Sequence, residues 1–337
     1  MRKRRVPPGI LLAGLIVACG ALLAAAFLVG SSGISWAELM DLIRGRASSS
    51  VETIFLRIRL PRALGALLVG AALALSGCTL QSIFRNPMAD PYVLGISSGA
   101  ALGAAVSMAF METATLSGSS LAALMSFIFA LLSIFLVYQM ARSHGHVSTF
   151  NLLLSGFAVS SLLTALLSLI MILNRDKMEQ VVMWNMGSLS SISWEKVWIA
   201  FPLIAICSAM LMFYIQPLNV MLGGDESAQS LGIDTHKTRR SVLILTSLLS
   251  ATAVSISGVI GFVGLMVPHL LRLASGPDNR SLMPLSLAGG AAYLLFCDIL
   301  ARTLVPGREL PVGVVTAILG VPFFIVLLRN ARGGTAI

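Results

Sequence analysis

The side chains able to do chemistry in this chain are few and oddly placed. Arg44, Arg46, Arg57, Arg59 and Arg62 crowd one short stretch, where guanidinium forks are suited to pairing with carboxylates. The carboxylates beside long apolar runs are Asp90, Glu112 and Asp298. An ion-coupled carrier would need such a group near the bilayer centre. None falls there: Glu112 and Asp298 lie toward the ends of apolar runs, and Asp90 lies between two of them. His144 and His146 resemble a metal pair but have no third ligand, so they read as loop residues. Cys19, Cys78, Cys207 and Cys297 stand singly inside apolar runs and read as small packing residues. No GxxxxGK[ST] sequence occurs, so the chain carries no P-loop for ATP.

The elements that must position these groups are membrane helices. Of 337 residues, 57% are hydrophobic and 11% charged, with mean hydropathy +0.91. Soluble domains carry roughly 25% charged residues, which leaves no room for a sizeable soluble domain. Runs near the ~20 residues of a spanning helix predict an all-α polytopic membrane protein, one domain over 1–337. The spans fall at 10–30, 61–84, 92–110, 119–141, 150–172, 194–216, 241–260, 264–274, 282–302 and 312–330. The eighth is too short to cross alone and is expected to begin at Pro268, with His269 meeting backbone groups at that helix start. The basic MRKRR start before 10–30 reads as the cytoplasmic end of an uncleaved span, with both termini cytoplasmic. The net charge of +9 then reflects span ends facing anionic lipid, not a nucleic-acid surface. The arginine-rich stretch at 44–62 would face outward, against the positive-inside rule, so it is assigned a task.

Between the second and third spans lies QSIFRNPMADPYVLG (81–95), too polar for a lipid-facing helix. Non-helical polar backbone at membrane depth is how solute pathways are built. Gly95, Gly99 and Gly103 give two GxxxG steps for close helix packing. Ser76-Gly77 and Ser257-Gly258 are each followed ten residues later by proline, Pro87 and Pro268, a faint inverted repeat. The loop at 217–240 holds DESAQSLG (225–232), with an acidic pair at a short helix start and glycine at its stop. Such a helix could press into a soluble motor, which fits a chain with no energy source of its own.

RLPR (59–62), GAALALSG (70–77), NPMADPYVLGISSG (86–99), SLG (230–232), GFVGLMVPH (261–269), DILAR (298–302) and ELPVG (309–313), in that order, resemble the FecCD-type permeases. These are membrane subunits of type II ABC importers for iron-siderophores, haem and cobalamin. The resemblance implies a cobalamin-permease-like homodimer of ten-helix chains in a bacterial plasma (inner) membrane. Two ATPase subunits, holding ATP and Mg, would bind below it and a substrate-binding protein above. It implies no enzymatic activity, metal or cofactor in this chain. The path would follow the dimer axis along 151–172 and 174–188, with Asp176, Lys177 and Glu179 beside it. Arg59, Arg62 and Arg302 would dock the binding protein's acids, and Gly224, Asp225, Glu226, Ser227, Ala228, Leu231 and Gly232 would form the ATPase-coupling loop. Asn86, Met88, Thr149 and Phe150 would form the cytoplasmic gate, although the family's cobalamin permease has a small hydroxyl residue in place of Phe150. The expected cargo is a ferric siderophore, by its frequency in the family, with cobalamin or haem as alternatives. A stand-alone ion-coupled carrier would need an intramembrane carboxylate that is not evident. A non-transporting scaffold is the third reading.

Overall fold

The computed structural model describes residues 6–28, 36–110, 118–143 and 146–332. Within them the helices are α1 (Pro8–Leu28), α2 (Trp36–Ile43), α3 (Ser49–Thr53), α4 (Leu60–Ile83), α5 (Ile96–Phe110), α6 (Gly118–Ala141), α7 (Thr149–Leu173) and α8 (Met178–Asn185). They continue with α9 (Trp194–Met212), α10 (Ile215–Met221), α11 (Asp225–Ser230), α12 (Thr235–Ser257), α13 (Val263–Ser275), α14 (Asn279–Thr303) and α15 (Val312–Arg332). Among the described residues, seven helical stretches are long and apolar enough to cross a bilayer. Three shorter apolar ones, Ile96–Phe110, Val263–Ser275 and Val312–Val326, complete the expected ten. The chain is an all-helical multi-pass membrane protein. Glu112 and His144 lie outside the described residues, and His146 sits in a two-residue strand pairing with Arg142–Ser143.

The centre is built from α4, α12, α13 and α14, and the apolar stretches of α4 and α12 are each 78% buried. Small residues allow this. A methyl group on Gly70 would overlap the Gly290 carbonyl of α14, and one on Gly77 would overlap the Gly264 carbonyl of α13. Hydroxyls tie the same faces together: Thr79 Oγ1 and Thr246 Oγ1 lie 3.0 Å apart, and Ser82 donates to Asn279 Oδ1 at 3.0 Å. The expected GxxxG packing is present between α5 and α6, where Gly99 and Gly103 face the carbonyls of Phe129 and Met125. Gly77→Val is expected to force α4 from α13 and cost about 1–3 kcal/mol or more, read as a lower midpoint of thermal unfolding in detergent.

Several boundaries differ from the sequence expectation. The second span is the end of a longer helix: α3 runs into α4 through a π-helical turn, Ile54–Arg59. Pro61 lacks an N–H and its ring crowds the carbonyl four residues back, which widening of the turn relieves. The loop at 217–240 is largely helical, because α10 starts at Ile215 and α12 already at Thr235, capped by Asp234 accepting from Lys237 N at 2.9 Å. The eighth span begins at Val263, not Pro268, because Phe262 takes a left-handed φ of 69° and starts the turn earlier. His269 therefore sits inside α13, its ring 6.1 Å from that of Phe323, and does not serve the helix start. The two Ser-Gly-Pro units do not share local structure. Gly77 is mid-helix whereas Gly258 ends α12 at φ 69°, yet the units pack together through Gly77 and Gly264.

Candidate translocation and coupling sites

The polar segment at 81–95 is helical as far as Ile83, the end of α4, and becomes broken backbone beyond it, exposed at Arg85 to Pro87 and buried at Ala89, Pro91, Leu94 and Gly95. After Arg85, with φ 47°, Asn86 Oδ1 accepts from Met88 N at 2.9 Å, and Asp90 caps a 3-10 turn at Pro91–Leu94 by accepting from Tyr92 N at 2.8 Å. Tyr92 then reaches the second break, after α12: its hydroxyl donates to the Ile260 carbonyl at 2.7 Å and accepts from Ile260 N at 3.1 Å. A third break joins them, as Ser188 N donates to the Ser257 carbonyl at 2.8 Å. α5 and α13, with 15 and 13 residues, start from these breaks and extend only about 22 and 20 Å, short of a ~30 Å hydrocarbon core. Unpaired backbone at that depth is tolerated only inside protein, and Tyr92 supplies part of the pairing. Tyr92→Phe removes both bonds and is expected to cost about 1–3 kcal/mol and to slow transport, measured by unfolding and uptake together.

α7 lies against this assembly. Its Gly156 faces the Val93 carbonyl so closely that a methyl would overlap it, and Ser148 caps its start by accepting from Asn151 N at 3.1 Å. Thr149 and Phe150 thus stand at the same end of the molecule as Asn86 and Met88, Phe150 being 73% exposed and Asn86 exposed. Only 22% of the apolar stretch of α7 is buried. Its uncovered side carries Ser161, Thr164 and Ser168 at spacings of three and four, one helical stripe, all exposed. Ser161 and Ser168 donate to carbonyls one turn back, at 2.9 and 3.0 Å. A hydroxyl stripe on an open helix face suits a wet boundary better than acyl chains. Sequence reasoning did not single it out, although its spacing was readable.

At the end opposite the coupling loop, α8, the end of α5, the start of α9 and the α14–α15 turn enclose a cavity of about 1130 Å³. Asp176, Lys177, Trp184, Lys196 and Glu309 line it together with hydroxyls of Ser188 and Ser190. Glu179 is exposed outside it.

Beside that cavity the expected docking arginines are buried. Arg59, Arg62 and Arg302 are 5%, 6% and 8% exposed. Arg62 donates from Nε to Asp298 Oδ1 at 2.9 Å and from Nη1 to Glu309 Oε2 at 2.8 Å. Arg302 pairs with Asp298 Oδ2 at 3.0 Å and donates to the Ala26 carbonyl at 3.3 Å, while Arg59 donates to the Phe27 carbonyl. The outward projection expected of these side chains is not found, because Asp298, itself fully buried, draws two of them inward. Arg44, Arg46, Arg57 and Arg308 are exposed instead. Asp298 is thereby committed to two arginines and is not a free carboxylate for ion coupling.

The residues expected to couple to the ATPase gather at the other end. Gly224 (φ 114°) and Gly232 (φ 81°) bracket α11, conformations that side-chain-bearing residues adopt only with strain. Ala228 is buried, while Glu226, Ser227, Leu231 and Gly232 are exposed, Leu231 at 70%. Asp225 binds both Arg239 of α12 at 2.9 Å and Arg85 after α4 at 3.2 Å. Asn219 of α10 donates to Asp278 at 2.7 Å and accepts from Asn279 N at 2.8 Å, pinning the loop to α14. Partial burial alone would raise the Asp225 carboxyl, but the hydrogen bond and charge of Arg239, with Arg85 and His236 nearby, hold it below the ordinary aspartate range. A lowered carboxyl contributes stability above its ordinary value and loses it as pH falls through the lowered one, so the clamp is formed at neutral pH. Asp225→Asn should therefore speed amide exchange over 224–240 at pH 7, and unchanged exchange would show the clamp to be idle.

Broken helices meeting inside a polytopic bundle, with a bracketed surface helix at one end and a polar cavity at the other, define a membrane transport subunit. The FecCD transport family matches residues 15–330, and the chain belongs to it. It is 41% identical over 306 residues to the cobalamin import system permease protein BtuC of Halobacterium salinarum, covering 90% of this chain and 81% of that one. It is 38% identical over 331 residues to the hemin transport system permease protein HmuU of Yersinia pestis, covering 97% and 98%. A solved structure described as an inward-facing metal-chelate type ABC transporter superposes with TM-score 0.85 at 34% identity, covering 96% of this chain and all of that one. The chain is thus the non-catalytic permease of an ABC importer, a machine whose ATPase and substrate-binding protein are separate partners. Among the described residues no cluster of three or more metal-ligating side chains occurs.

Proposed function

We propose that this permease passes a metal chelate between two copies of itself. The observation carrying this reading is α7, whose open face combines the stripe Ser161, Thr164 and Ser168 with exposed Phe150, Leu154 and Phe157. The partner copy covers the apolar part, and the hydroxyls face the axial path. The cavity beside α8 receives cargo on the side where the binding protein docks. Asn86, Met88, Thr149 and Phe150 close the other end.

Arg59, Arg62 and Arg302 serve docking in this reading by holding that face in register, and a partner carboxylate replaces the half-open Glu309 on Arg62, with exposed Arg57 steering the approach. Gly224 to Gly232 receives the ATPase stroke as the coupling loop within a single permease domain, 1–337. Val6 N donates to the Ala274 carbonyl at 3.2 Å, which puts the chain's start at the coupling-loop end and supports a cytoplasmic N-terminus.

The cargo is proposed as a ferric siderophore. Cobalamin is the second reading, favoured by the 41% identity to the Halobacterium salinarum cobalamin permease. The path is tested by introducing cysteine at Thr164 in a background freed of native cysteines. Cross-linking between copies, with thiol modification blocking uptake, is expected. A Thr164→Cys chain that neither cross-links nor loses uptake on modification would place the path elsewhere.

A further inference from the structure

A second cavity, of about 590 Å³, opens at the coupling-loop end between α6, the start of α7 and the start of α12. Its polar end is basic: Arg142, Lys237, Arg239 and Arg240 line it, and among the described residues that line it none is a carboxylate. Its other wall is apolar, with Phe135 and Ile244 55% and 50% exposed toward the side where α6 also presents Leu132, Leu136 and Met140. Arg239 links the cavity to the coupling loop. It is 6% exposed, its Nη2 donates to Asp225 Oδ2 at 2.9 Å, and its Nε is buried without a hydrogen-bond partner among the described residues.

We propose that this cavity binds one anionic membrane phospholipid, with the phosphodiester headgroup among the four cations and the acyl chains along Phe135 and Ile244. Three observations select this ligand. The charge is of one sign, and a buried guanidinium nitrogen lacks the acceptor that a phosphate oxygen would provide. The apolar wall runs on into the exposed apolar surface of α6, which a soluble phosphate compound would not need. Basic pockets between helices at a membrane face are where acidic lipid headgroups are held. Because Arg239 shares Asp225 with Arg85, a lipid seated here also braces the clamp at the coupling loop. This inference does not depend on the cargo or on the path along α7.

The test uses the purified full chain in detergent and native mass spectrometry, with phosphatidylglycerol and phosphatidylcholine of identical acyl chains. Wild type is expected to retain one phosphatidylglycerol per chain in preference to phosphatidylcholine, with weaker retention at high salt. Lys237→Gln with Arg240→Gln, both exposed side chains, should weaken retention about 30-fold, and Arg142→Gln on a separate helix about fivefold. The single Arg142→Gln variant keeps the test decisive should the double variant fold poorly. Equal retention of both lipids, unchanged retention in the variants, or displacement by millimolar inorganic phosphate would each overturn the lipid site. The last result would assign the pocket to a free anion. Addition of the ATPase should leave the lipid in place, and its loss on assembly would show that the basic end belongs to a protein contact.

Discussion

Asp298→Ala is expected to be the most damaging single substitution in the protein, lowering stability by about 3–5 kcal/mol. The side chain is fully buried and is the shared partner of Arg62 and Arg302, which are themselves 6% and 8% exposed. Its removal takes from Arg302 the carboxylate that pairs with it at 3.0 Å and leaves Arg62 with Glu309, a carboxylate 36% exposed. A buried guanidinium that loses its carboxylate costs far more than the net worth of the original pair, because its hydration has already been given up. The site joins α1, α4, α14 and the turn before α15, so the loss should loosen the whole end of the molecule that carries the cavity. Thermal unfolding in detergent reads the effect. A midpoint within the scatter of wild type would show that the arginines reach water and that their burial is unimportant.

The second large effect concerns transmission. Leu231→Asp is expected to reduce ATP-driven uptake at least about tenfold with little change in folding. Leu231 is 70% exposed on an end-facing turn, and surface changes of this kind usually alter stability by no more than about 0.5 kcal/mol. Burying a leucine against a partner contributes about 1.5–3 kcal/mol, and a carboxylate in the same cleft opposes association outright. In the proposed coupling role the loop would pass motion inward. Asp225 ties it to α4 and α12 through Arg85 and Arg239, and Asn219 ties it to α14 through Asp278 and Asn279. In that role three helices of the central bundle would move with one surface helix. Co-purification of the ATPase and uptake should fall together, whereas unfolding should not shift. Wild-type uptake in Leu231→Asp would remove this turn from the coupling contact.

Much of this was legible in sequence because hydropathy reports on spans directly. Runs of about twenty apolar residues located α6, α7, α9 and α14 within a few residues. The break expected within 81–95 was legible because proline, aspartate and asparagine in such a context have no helical reading, although 81–83 remain in α4 and the span placed from 92 starts only at Ile96. Contacts distant in sequence were not. Arg62 and Asp298 are 236 residues apart, so spacing offered no sign that the arginine would turn inward instead of toward a docking partner. Phe262 gave no warning either, since nothing in a phenylalanine marks a left-handed φ, and Pro268 drew the helix start five residues too late. Thr235 to Arg240 looked like loop because they are polar. They continue α12 beyond the apolar stretch, held by the Asp234 cap. The stripe on α7 was hidden by its dilution among leucines, and only the uncovered face makes Ser161, Thr164 and Ser168 a group.

The most direct measurement is uptake into proteoliposomes that contain this chain, its cognate ATPase and its binding protein. Labelled ferric siderophore, cobalamin and haem would be offered in competition. Uptake of one chelate that stops when ATP hydrolysis is blocked is the predicted result. Uptake that persists without ATP and follows an ion gradient would contradict the account, since Asp298 is already committed to Arg62 and Arg302.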